Sequence, residues 1–215
     1  MRQKRLYEPM TFYTNILLAL LAIYCGLRIS ELYWQKFHLF HFHLSWTFYT
    51  LAAGALLGAI AHGFSPNFPP ILKMLVWKAT VLSAGLTAMF FVLTSLAAVM
   101  SFESYTLLRW IPILGLIIYA VIIWRDSQFI QAMKFTVPAM IFVLAAMIYI
   151  FGTTKDAGAG NIILGLLITS VGAVLWAVRF SLHSHFNHND IYHLVQMVGL
   201  WFIYRGGLAI KNILN

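Results

Sequence analysis

Between His185 and His193 the chain reads HFNHNDIYH, with three His, two Asn and one Asp in nine residues. Imidazole and carboxylate are the groups that zinc and similar ions prefer, and a catalytic zinc site takes three protein ligands and a water. The segment that follows, LVQMVGLWFIYRGG, is predominantly apolar. These groups therefore open a helix bound for hydrocarbon, where polar side chains are costly and turn toward the bundle interior or a wet cavity. At about 100° per residue, Asn189, His193 and Gln196 fall within an arc of about 60°. Asp190 is displaced from Asn189 but lies three residues from His193, close enough to touch it. A hydrated loop and helix N-cap is the alternative reading of Asn189 and Asp190, because Asn and Asp accept from the orphan N–H groups of a helix start and an Asp there meets the positive end of the dipole. His193 sits a turn further in. It is either a hydrogen-bonded structural His, of the kind that joins membrane helices, or a ligand.

The composition fixes what must position these residues. Of 215 residues, 61% are hydrophobic and only 9% are charged, against roughly half apolar and about a quarter charged in soluble domains. The mean hydropathy is +0.83. This predicts an all-α polytopic membrane protein, one domain over residues 1–215. The net charge of +8 comes from scattered basic residues that flank apolar segments, which suits orientation in a bilayer. No nucleic-acid-reading motif accompanies them. The single Cys25 excludes an intrachain disulfide.

Seven segments approach the roughly 20 apolar residues a bilayer requires. They are placed near Met10–Ile29, Leu44–His62, Ile71–Met100, Leu107–Trp124, Phe135–Phe151, Asn161–Phe180 and Asp190–Ile210. The first is read as a retained helix, since its apolar run is longer than a signal core. SPNFPP (65–70) breaks the chain because proline cannot continue a helix, WRDSQ (124–128) is a short charged turn, and GTTKDAGAG (152–160) is a flexible polar link. Pro112 and Pro138 are read as lying near helix starts. With seven crossings, eight of the 14 Lys and Arg fall on the side of the N-terminus and six on the other. That majority predicts a cytoplasmic N-terminus and an outside C-terminus.

Seven crossings also bring three distant segments together. The second ends on the N-terminal side with His62; the third begins there with Lys73 and Lys78; the seventh begins there with His188, Asn189, Asp190 and His193. His62, His193 and one of Asp190, Asn189 or His188 would complete a three-ligand metal site. The other His group, HLFHFHLSW (38–46), falls on the opposite side, where His residues alternate with aromatics as at a membrane interface. G-x-S-x-G, P-loop, H-E-x-x-H and C-x-x-C signatures are absent.

This layout resembles the seven-helix superfamily that joins alkaline ceramidases to the progestin and adipoQ receptors. The resemblance rests on a His near the end of the second helix and on NDIYH opening the seventh. It implies a zinc held by one second-helix His and an H-x-x-x-H pair from the seventh, with a Ser before the first His, an Asp in the third helix and hydrolysis of lipid amides or esters. His62 matches the second-helix ligand and His193 the second member of the pair. Asn189 stands at the first member, Gly58 at the Ser, and the third-helix Asp has no counterpart.

Two functions follow. One is a zinc-dependent hydrolase of lipid amides or esters, with His62 and His193 as ligands and Asp190 as third ligand or general base. In it, Lys78 would face the developing oxyanion or a lipid phosphate, and the metal would lower the pKa of its water. The other is a non-catalytic receptor-like, scaffold or transport protein that binds lipid or an ion in the same pocket, with Asn189, Asp190 and His193 networked to Lys78. Membrane lipids are the partners in either case.

Overall fold

The computed structural model describes residues 6–183 and 186–214, and every regular element among them is helical. The helices are α1 (Pro9–Lys36), α2 (Leu39–Phe64), α3 (Pro70–Val99), α4 (Phe102–Leu108), α5 (Trp110–Arg125), α6 (Phe129–Thr154), α7 (Ala157–Ala177) and α8 (His188–Ala209). A single 3-10 turn, Ser65–Asn67, separates α2 from α3. His185, part of the polar cluster, lies outside the described residues.

Among the described residues, six spans are long and apolar enough to cross a membrane: α1, α2 with its 3-10 turn, α3, the α4–α5 pair, α6 and α7. α8 is not among them, because its first two turns carry the polar cluster. Its 22 residues nonetheless extend about 33 Å, and it runs antiparallel to α7 from end to end. Near its start, Trp176 Nε1 donates to Asn189 Oδ1 at 2.9 Å. Just past its other end, the Lys211 and Asn212 N–H groups donate to Asp156 at 2.9 and 3.0 Å.

Each helix packs on its neighbour in a closed ring, α1–α2–α3–α6–α7–α8 and back to α1, while α4–α5 stands outside against α3. The outer pair buries little. Tyr119 and Ile123 are its anchors in α5, and the Tyr119 hydroxyl donates to the Val81 carbonyl at 2.8 Å.

Several predicted boundaries move outward. α1 continues seven residues past Ile29 to Lys36, since Arg28 and Glu31 pair three residues apart on its exposed face and support helix beyond the apolar run. α6 begins at Phe129, well before Phe135. Its polar first turns are helical because Gln131 reaches back to Asp126 Oδ2 at 2.7 Å. Pro138 therefore lies inside the helix and not near its start. α7 begins at Ala157, within the stretch read as a flexible link, because Asp156 caps it by accepting from Gly158 and Ala159 at 2.7 and 3.3 Å.

The tightest seam joins α7 to α8. Gly158, Gly165 and Gly172 recur every seven residues on α7, and Gly199 and Gly206 do so on α8. A Cβ on Gly165 would lie 2.5 Å from the Gly199 carbonyl oxygen, and one on Gly206 would lie 2.6 Å from that of Gly158. In a bilayer, where lipid is as apolar as leucine, close backbone packing is a main force that holds helices together.

Candidate functional site

α8 starts with a capping box. The Asn187 side chain accepts from the Asn189 N–H at 2.8 Å, and Asp190 Oδ2 accepts from the Asn187 N–H at 2.8 Å. This is the reciprocal arrangement that satisfies two orphan donors. The N-cap is therefore Asn187, and Asp190 is the third helical residue. Capping occupies one oxygen of Asp190 and leaves the other, Oδ1, facing α1.

There it meets Thr14. The Thr14 hydroxyl lies 3.5 Å from Asp190 Oδ1 and 3.0 Å from His193 Nδ1. Thr14 is 4% exposed and Asp190 0% exposed. Asn15, one residue on, donates through Nδ2 to the Thr11 carbonyl at 2.9 Å. Its Oδ1 lies over Gly58, where a Cβ would approach to 3.1 Å. Gly58 thus leaves room for an amide from α1.

Within the ring lies a cavity of about 210 Å³ that opens among α1, α2, α3 and α8. His62, Gly58, Asn189 and His193 all line it, so the four positions singled out by the resemblance border one cavity. Asn15, Thr50, Thr80, Ser83, Thr87, Trp77, Tyr192 and Gln196 add further polar groups to its lining. Among the described residues, the lining holds no carboxylate and no Lys or Arg. Thr87 donates to Thr50 Oγ1 across the α2–α3 seam at 3.1 Å.

Two further cavities adjoin it. One, about 200 Å³, shares Leu51, Ala84, Thr87, Phe129, Tyr192 and Gln196 with the first and runs on past Phe91, Met140 and Leu200. The other, about 360 Å³, shares Phe129, Trp176 and Tyr192 and passes between α6 and α7 along Met133, Val137, Ile141 and Val174. Val137, Ile141 and Val174 are exposed on the outer face of the ring, so this crevice opens sideways.

The remaining candidates point elsewhere. Lys78 donates to the Trp124 carbonyl at 2.6 Å and lies 4.6 Å from the centre of that indole. It caps the C-terminal end of α5, where a cation complements the dipole, and not Asp190. The His188 ring packs by Trp176, with centroids 6.2 Å apart. His62 Nδ1 is paired with Glu8 Oε2 at 2.9 Å.

These commitments bear on the zinc expectation. Among the described residues, no three His, Cys, Asp or Glu side chains are grouped so as to hold a metal ion. Asp190 is taken by the capping box and Thr14, Asn189 by Trp176, and one nitrogen of His62 by Glu8. The donor set as folded does not fit a three-ligand zinc centre.

α1 also contributes to the site, a role that its mean hydropathy conceals. Thr11, Thr14 and Asn15 are spaced i, i+3, i+4 in an otherwise apolar segment, the pattern of a polar stripe turned inward. It carries the same signal as Asn189, His193 and Gln196.

The model of the Family of unknown function (DUF6962) matches residues 10–212, and the chain belongs to that family. No curated protein and no solved structure matches the chain.

Proposed function

We propose that the chain crosses the membrane seven times and holds an amphipathic, lipid-like molecule inside its helical ring. The uncharged polar head sits by His62, His193 and Asn15, and the apolar tail runs into the crevices beyond. The supporting observation is the adjacency of the cavities: the chamber lined by His62, His193 and Asn15 shares Phe129 and Tyr192 with two neighbouring ones, and all three are mostly apolar. Amide, hydroxyl, imidazole and indole groups line the chamber, so a charged head would be stripped of water with no counter-charge to receive it. A neutral head meets hydrogen-bonding partners instead, in keeping with ligand sites that are mostly apolar with a few fixed polar groups.

The seventh crossing is α8. Its length supports this, and so does the inward turn of its polar stripe, which leaves Leu194, Val198 and Trp201 exposed on the other face. The side bearing His62, Lys78 and Arg125 is the cytoplasmic one in this reading, following the basic majority.

Native mass spectrometry on protein released from mild detergent tests the proposal. The wild-type chain should retain one lipid class at about one molecule per chain, and an Ala84→Trp variant, which fills the junction of two chambers, should lose it. A wild-type chain that carries no lipid, and is stabilised by no added neutral lipid, sinks the idea.

Hydrolysis of a lipid amide or ester is the second reading. The contact between His193 and Thr14, backed by Asp190, favours it, because a positioned imidazole can serve as general base. It is drawn here without a metal. Release of fatty acid by the wild type, absent in His193→Ala, would decide for it.

A further inference from the structure

We propose that Thr14 and Asp190 hold His193 as the tautomer protonated on Nδ1. Its Nε2 is then a bare acceptor in the cavity, and the head of the bound lipid must bring an O–H or N–H donor to it. The last clause rests on the lipid-binding reading; the tautomer does not.

Around the Thr14 oxygen stand three groups: the Thr11 carbonyl at 3.2 Å, Asp190 Oδ1 at 3.5 Å and His193 Nδ1 at 3.0 Å. A carbonyl and a carboxylate oxygen only accept, whereas an imidazole nitrogen does either. The hydroxyl has one proton to give. Donated to Asp190, it leaves the Thr14 oxygen free to accept from His193 Nδ1–H, while the Thr11 carbonyl keeps the Asn15 amide as its donor. Donated to His193, it leaves oxygen lone pairs facing two obligate acceptors with no proton between them. Thr14 and Asp190 are buried, so no solvent relieves that repulsion, and low local polarity makes it more costly. The other oxygen of Asp190 already holds the Asn187 N–H, which leaves Oδ1 as the one in need of a donor.

A hydrogen bond on one ring nitrogen thereby decides what the other can do. With Nδ1 turned to α1, His193 presents Nε2 to the chamber. A head group that carries only ether or ester oxygens would set lone pair against lone pair. One with a free hydroxyl or amide N–H completes the chain from Asp190 through Thr14 and His193 to the ligand.

Two measurements on the full chain in nanodiscs at neutral pH test this. Nitrogen-15 spectra of histidine-labelled protein, assigned with His193→Gln, should show His193 protonated on Nδ1. Thr14→Val should shift that signature and Thr14→Ser should retain it; a wild-type His193 protonated on Nε2 overturns the assignment. Monooleoylglycerol should bind at least about tenfold tighter than its dimethyl ether, as expected when a site loses a donor it was built to receive. Equal binding of the two overturns the donor requirement and leaves lipid binding intact. Binding of neither overturns the lipid reading and the donor requirement together, while the tautomer stands or falls on the spectra alone.

Discussion

The two ends of the α7–α8 pair are built on opposite principles. At one end Asp156 accepts from five donors: the N–H groups of Gly158, Ala159, Lys211 and Asn212, and the Asn212 side-chain amide. Between the ends, glycines bring the two backbones into contact. At the other end, His193, Asn15 and Gln196 line the chamber. Both ends carry polar atoms, so their presence alone does not mark function. Their surroundings separate them: a fully satisfied acid is a fastener, whereas the polar side chains at the other end line a cavity.

That contrast can be broken most severely at the seam. Gly199→Leu would drive a side chain into the backbone of α7, where even a Cβ meets Thr169 and the Gly165 carbonyl. The expected result is a chain that does not fold, more than about 4 kcal/mol destabilised, read as loss of monodisperse protein in detergent. Asp156→Ala comes next. Removing the acceptor strands several buried N–H groups and should cost about 3 kcal/mol, seen as a lower melting temperature.

Acid should mimic that loss. Burial works against ionisation of Asp156, but donation from Lys211, Asn212 and Gly158 outweighs it and holds the carboxyl below its ordinary range. A depressed folded pKa means the stabilisation is complete above the unfolded value, near 4, and fades as pH falls from there through the folded value. Asp156→Asn should therefore flatten the acid limb of a melting-temperature profile; an unchanged limb would assign it to another group. The smallest change in stability belongs to His193→Ala, about 1 kcal/mol or less by melting, with ligand retention lost. If the variant instead unfolds, His193 is a fastener like Asp156.

Much of the fold was legible in the sequence because lipid imposes a simple rule: runs of apolar residues become helices. The predicted segments sit inside the observed helices or overlap them. The errors came where polar residues are helical for local reasons, as in the first turns of α6 and α7, since side-chain caps such as Asp156 do not show in hydropathy. The expectation of seven crossings put His62, His193 and Asn189 at one depth, and all three line the same chamber. Lys78 and His188 lay at the right depth yet turned away, because depth fixes a residue along the membrane normal but says nothing of which way a helix faces. Thr14 and Asn15 were missed for the opposite reason. Their segment was apolar enough to be assigned on average, and averaging hid the stripe.

The glycine register has a mechanical corollary. Helices zipped backbone to backbone over most of their length move as a single plank. A lipid entering from the bilayer, as proposed, would find the α7–α8 seam closed and the crevice between α6 and α7 open to the side.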